Sequence, residues 1–71
     1  MKITRIYYFH NLDLTFKSAQ TIQIVKDYYY LSKFSVEINI YGTYENDLDY
    51  HEILKFIRNS KVNIIAIRKS F

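Results

Sequence analysis

The chain has 71 residues, enough for a single small domain over residues 1–71 and too few for two. Ten Lys and Arg against seven Asp and Glu give a net charge of +3, modest for a protein that would hold nucleic acid by charge alone. The lack of cysteine excludes disulfides and thiolate metal sites, and a single glycine excludes glycine-rich phosphate loops.

Residues 2–9 are rich in Ile, Tyr and Thr and predict a first strand. Residues 10–16, HNLDLTF, read as a loop in which Leu12, Leu14 and Phe16 alternate with Asn11, Asp13 and Thr15. Residues 18–33 predict a helix. Ile22, Val25 and Tyr29 recur at helical spacing with Ile24, Tyr28 and Leu31 beside them, and Tyr30 falls on the polar face. Ile22 and Ile24 also alternate as in a strand, but the apolar arc holds together over four turns and favours helix.

Residues 34–41 alternate as a half-buried strand, with Phe34, Val36, Ile38 and Ile40 inward and Ser35, Glu37, Asn39 and Tyr41 outward. Gly42 is expected to end it. A second helix follows over about residues 50–59, with Asp49 and Glu52 spaced as in a capping box and Tyr50, Ile53, Leu54 and Ile57 as its packed stripe. Residues 62–67, apolar on both faces, predict a buried central strand, after which Arg68 to Ser70 return to solvent and Phe71 packs back. The order β-α-β-α-β predicts an α/β fold, a parallel three-stranded sheet in a two-layer domain with both helices on one face. The other face would carry Glu37, Asn39 and Tyr41. Eight Tyr and five Phe are more aromatics than so small a core holds, so a homodimer or a partner protein is expected.

No apolar run approaches the roughly 20 residues that span a bilayer, and residues 1–9 lack the pattern of a signal peptide. A soluble protein of the cytoplasm, without membrane contact, is the expectation. His10 and His51 are the only histidines and fit no metal-ligand spacing, and the Ser and Thr residues have no recognisable base partner. The expectation is a non-enzymatic protein without catalytic residues, metal or cofactor. An alternative function is a small nucleic-acid-binding module using Lys2, Arg5, Tyr7, Tyr8 and the late basic residues Lys55, Arg58, Lys61, Arg68 and Lys69. Recognition motifs of RNA-binding sheets and zinc fingers are absent from the sequence.

The segment Asn11-Leu12-Asp13-Leu14-Thr15-Phe16 resembles the short motif by which polymerases and repair factors dock on the bacterial sliding clamp, written QLDLF or, in a six-residue form, QLxLxL ending in Leu or Phe. Leu12 and Leu14 match its leucines, Asp13 its Ser/Asp position, Thr15 the spacer and Phe16 the terminal hydrophobe. Asn11 keeps the amide of the usual Gln on a shorter side chain. A second reading of the same residues has Leu12, Leu14 and Phe16 fastening the segment to the core. In size and in its skew towards residues with AT-rich codons, the whole chain is similar to small phage proteins that disable a host component, among them inhibitors of the sliding clamp. The resemblance implies a host-takeover protein that binds the clamp of an infected bacterium and stops replication. Four of the seven acids, Glu45, Asp47, Asp49 and Glu52, fall within eight residues, flanked by Tyr44 and Tyr50. If the clamp is the target, this acidic corner offers a second route, into the positively charged channel that passes DNA.

Overall fold

The computed structural model describes residues 4–69. The expected strand start at Lys2 and the packing of Phe71 lie outside them. Three strands, β1 (Thr4–Asp13), β2 (Val36–Tyr44) and β3 (Val62–Arg68), alternate with two helices, α1 (Ala19–Ser32) and α2 (Asp47–Phe56). All strands are parallel and stand in the order β1-β2-β3. Two crossovers of the same hand in that order carry both helices to the same side of the sheet.

Alternation decides which side chains meet those helices. Ile38 and Ile40 of β2 and Val62 of β3 turn inward and are buried with Val25 of α1 and with Ile53 and Ile57 of the second crossover. The alternate positions Arg5, Tyr7 and Phe9 of β1 and Asn63, Ile65 and Ile67 of β3 face away from the helices and are exposed. β2 is therefore the central strand. The expectation of a central 62–67 strand is corrected: its second apolar face, Ile65 and Ile67, lies on the uncovered side.

The helices start at local caps. The Ser18 hydroxyl accepts from the Thr21 N–H at 3.4 Å and opens α1. Asn46 caps α2, its Oδ1 accepting from the Asp49 N–H at 3.0 Å, so the helix begins three residues before the expected Tyr50 and the Asp49–Glu52 pair is not its cap. Asp47 and Asp49 lie in its first turn and Lys55 in its last, the order that the helix dipole favours. Ser35 and Asn59 hold left-handed φ values of 62° and 64° in the two helix-to-strand turns. The first of these turns breaks the alternation expected from Phe34 onward, and Phe34 is exposed rather than inward.

β1 runs further than expected, through His10 to Asp13, and its pairing shifts on the way. Phe9 lies opposite Tyr41 and Asp13 opposite Thr43, so four steps of β1 match two of β2. Past this irregularity the Leu14 N–H donates to the Thr43 carbonyl at 2.8 Å and the Leu14 side chain enters the core, 2% exposed. Gly42 lies within β2 rather than ending it, on the inner face. A Cβ there would stand 3.2 Å from Leu14 Cδ1. Leu14→Ala is expected to lower the unfolding free energy by about 2–5 kcal/mol. Gly42→Ala, which overfills the same spot, should cost about 1–3 kcal/mol. Urea unfolding followed by circular dichroism measures both.

Candidate functional site

The clamp-like segment is built into the fold. Asn11, Leu12 and Asp13 are the last residues of β1, Leu14 is a core residue, and Phe16 is half-buried with its ring edge-on to Phe56 at 6.1 Å. Asp13 is engaged too: Thr43 Oγ1 donates to its carboxylate at 2.7 Å and Lys69 Nζ lies 3.0 Å away. These contacts, the Thr43 hydrogen bond first, hold its carboxyl below the ordinary Asp value, and the same pairing raises Lys69. Asn11 and Leu12 are exposed. Of the two readings of HNLDLTF, the folded chain adopts the one in which Leu14 closes its own core; as an anchor offered to a partner's cleft, Leu14 is corrected.

The acidic corner forms, with partners the sequence did not reveal. Asp13, Glu45 and Asp49 line one concavity with Thr15, Lys17 and Asn46. Asp49 accepts a 2.9 Å hydrogen bond from Thr15, Asp47 lies 3.0 Å from Arg68 Nε, and Glu52 lies 3.5 Å from Lys55 Nζ. The Tyr44 and Tyr50 rings stack with centroids 3.9 Å apart, and burial together with this neighbour pushes the Tyr50 phenol up. Lysine and arginine thus stand among the acids, and the local charge is nearly balanced. Asp13 is the corner acid that sequence spacing missed, because β1 brings it there from more than thirty positions away.

The residues of the nucleic-acid alternative are dispersed. Arg5 and Tyr7 lie on the uncovered face, with Arg5 Nε 2.7 Å from Glu37, while Tyr8 points inward against Tyr28. Arg68 and Lys69 are taken up by Asp47 and Asp13, and Lys2 lies outside the described residues. Among the described residues, no group of three or more His, Asp or Glu is placed to hold a metal ion, and no helix is long and apolar enough to cross a membrane.

Among the described residues, exposed large apolar side chains gather on the uncovered sheet face. Phe9 is 74% exposed, Tyr7 58%, Ile67 74% and Ile65 47%. Strand register places Phe9, Tyr41 and Ile65 in one row across the sheet and Ile67 beside Thr43 in the next. Tyr41 joins the aromatics, its ring near-parallel to Phe9 at 5.0 Å and to Tyr7 at 6.5 Å. The charges of this face among the described residues, Arg5 and Glu37 with Lys61 beside them, sit together at its other end. Sequence reasoning found Tyr41 and the bare face but missed Phe9, Ile65 and Ile67, since it read β3 as covered on both sides.

Comparison with protein families, characterised proteins and solved structures finds no match to this chain. The class defined by fold and surface is a small two-layer α/β protein with a one-sided sheet.

His10 gives this fold an acid-sensitive point. It is buried on β1 beneath α1. Thr21 Oγ1 spends its proton on the Asp13 carbonyl at 3.2 Å, so it accepts from His10 Nε2–H at 2.9 Å, which leaves Nδ1 as a buried lone pair without a partner among the described residues. Burial lowers the His10 pKa below 6.5. The unfolded chain therefore binds this proton more readily than the folded one. The stabilising contribution is complete above the unfolded value and is lost as pH falls from there towards the lower folded value. Urea midpoints should decline as pH is lowered from about 7 to about 5, and His10→Gln should flatten that decline.

Proposed function

We propose that this chain is a non-enzymatic binding protein that docks on another protein chain through the uncovered face of its sheet. The observation that supports this most directly is the cluster of Tyr7, Phe9, Ile65 and Ile67, four large apolar side chains exposed together on one flat face. A contiguous group of aromatic and aliphatic side chains bordered by charges at one end matches the anatomy of a protein interface. Ile65 and Ile67 offer no stacking surface for bases, and Arg5 already faces Glu37, which argues for protein over nucleic acid as the ligand.

The resemblance of the 11–16 segment makes the bacterial sliding clamp the partner to test first, with arrest of replication as the consequence. With Leu14 in the core, the clamp contact proposed here runs through folded surface rather than through a peptide laid in a cleft. A second reading has the corner entering the clamp's channel, and the observation that favours it is the stacked Tyr44–Tyr50 pair beside the acids. Because Arg68, Lys69 and Lys55 balance those acids, this route would depend on the aromatic pair more than on a phosphate-like field.

Gel filtration with a purified clamp at tens of micromolar tests both. Co-migration lost in Phe9→Glu and Ile67→Glu supports the sheet face. Loss instead on neutralising Glu45, Asp47, Asp49 and Glu52 together, with steep salt dependence, supports the corner. No complex at that concentration removes the clamp as partner, and tight salt-sensitive binding to an oligonucleotide would sink the protein-docking reading.

A further inference from the structure

We infer that the occupant of the uncovered sheet face is a second copy of this chain, packed sheet against sheet into a two-fold dimer with the helices outermost. The inference rests on the reading of that face as a protein-docking surface and names its partner in the free protein, a copy that a clamp docking on the same face would displace.

Three observations carry it. The first is area. Aromatic side chains of this kind bury about 150–250 Å² each, so five large groups at these exposures on two copies remove roughly 1,000 Å² from water, where specific interfaces begin. The second is the shortage of core. The buried cluster among the described residues has seven apolar side chains, a small store for a domain of this length, and self-association is a common way to enlarge it. The third is the arrangement of charge. The acids of the corner lie at the ends of the strands and on α2, while the charged pair on the face, Arg5 and Glu37, neutralises itself at 2.7 Å. Lys61 stands beside that pair, so the charge left on the face is confined to one end of it, away from the apolar rows.

The row across the sheet selects the symmetry. A two-fold axis along β2 sets Tyr41 against its own copy and lays β1 of one chain over β3 of the other, so Phe9 meets Ile65 in both directions. Apolar end covers apolar end, and the charged ends, each with Arg5, Glu37 and Lys61, meet at the rim, where solvent screens them. An axis across the strands through the Tyr7–Asn39–Asn63 row would instead lay each strand on its own copy, with Phe9 on Arg5 and Tyr41 on Glu37. Aligned sheets separated by about 10 Å leave room for one interdigitated layer of these side chains.

Sedimentation equilibrium of the full chain tests this over a concentration series. The expected result is twice the single-chain mass at micromolar concentration, with a melting temperature that rises with protein concentration. Phe9→Glu and Ile67→Glu should each weaken dimerisation roughly 100-fold. Phe34→Glu and Leu48→Glu, equally exposed but off the sheet, should leave it unchanged. A wild-type chain that keeps the single-chain mass up to about 100 μM, with a concentration-independent melting temperature, overturns the proposal. So does a dimer that survives both face variants with native circular dichroism. If a face variant fails to fold, the concentration dependence of wild-type melting decides alone. A monomer whose face variants still lose the clamp refutes self-association and leaves the docking reading standing. A wild-type dimer whose clamp binding survives those variants supports self-association and moves the clamp contact off the sheet face.

Discussion

Leu14 lying in the hollow that Gly42 leaves on β2 is the contact on which the arrangement of the strand ends depends. A side chain at position 42 would press on Leu14 and, next, on His10 Cβ at 3.6 Å. With the hollow filled by Leu14, the chain leaving β1 is held across the end of β2, and its neighbours fall into place around it. Asp13 comes opposite Thr43 and within reach of Lys69, Thr15 reaches Asp49, and Thr21 at the start of α1 closes over His10. One missing methyl group thus ties β1, α1, α2 and the residue after β3 to the same spot. The polar contacts around it are individually weak when exposed, and apolar burial at the centre gives them a fixed geometry.

Much of the architecture was legible in the sequence because it depends on period alone. The helical arc through Val25 and the alternation through Ile38 and Ile40 identify α1 and β2, and the element order then implies a parallel sheet. Other features depend on neighbours that are distant in the chain. Ile65 and Ile67 are as apolar as Val62 and Ile64, and only the side of the sheet each faces, covered by helices or bare, separates their fates. The same holds for the candidate sites. Spacing groups Glu45, Asp47, Asp49 and Glu52, but the basic partners Arg68 and Lys69 arrive from β3 and turn an acidic run into a mixed one. In HNLDLTF, strict alternation suggests that Leu12 and Leu14 share a side. The shift in β1 pairing separates them, leaving Leu12 exposed and Leu14 enclosed.

The one-sided sheet follows from strand order rather than from any particular residue. Adding each new strand to the same edge, with crossovers of one hand, stacks both helices on one side; covering the other would require a reversal of order or a further element. The sequence is adapted to this only in part. Glu37, Asn39 and Asn63 suit exposure, whereas Phe9, Tyr41, Ile65 and Ile67 suit contact with another apolar surface. The division runs along the strands, polar at one end and apolar at the other, and gives the face a direction.

The all-parallel pairing also governs how the chain can reach this state. No two strands are joined by a hairpin, so β1 cannot find β2, nor β2 find β3, until an intervening segment of more than fifteen residues has closed. Each loop closure is an entropic cost met before any ladder hydrogen bond returns it, which places the chain among slow folders for its size and couples sheet assembly to helix formation. While the crossovers are open, β2 presents two unpaired edges and the apolar ends of all three strands are accessible to other chains. The residence time in that open state, set by connectivity rather than by the stability of the finished fold, governs how readily newly made copies find each other in the wrong register.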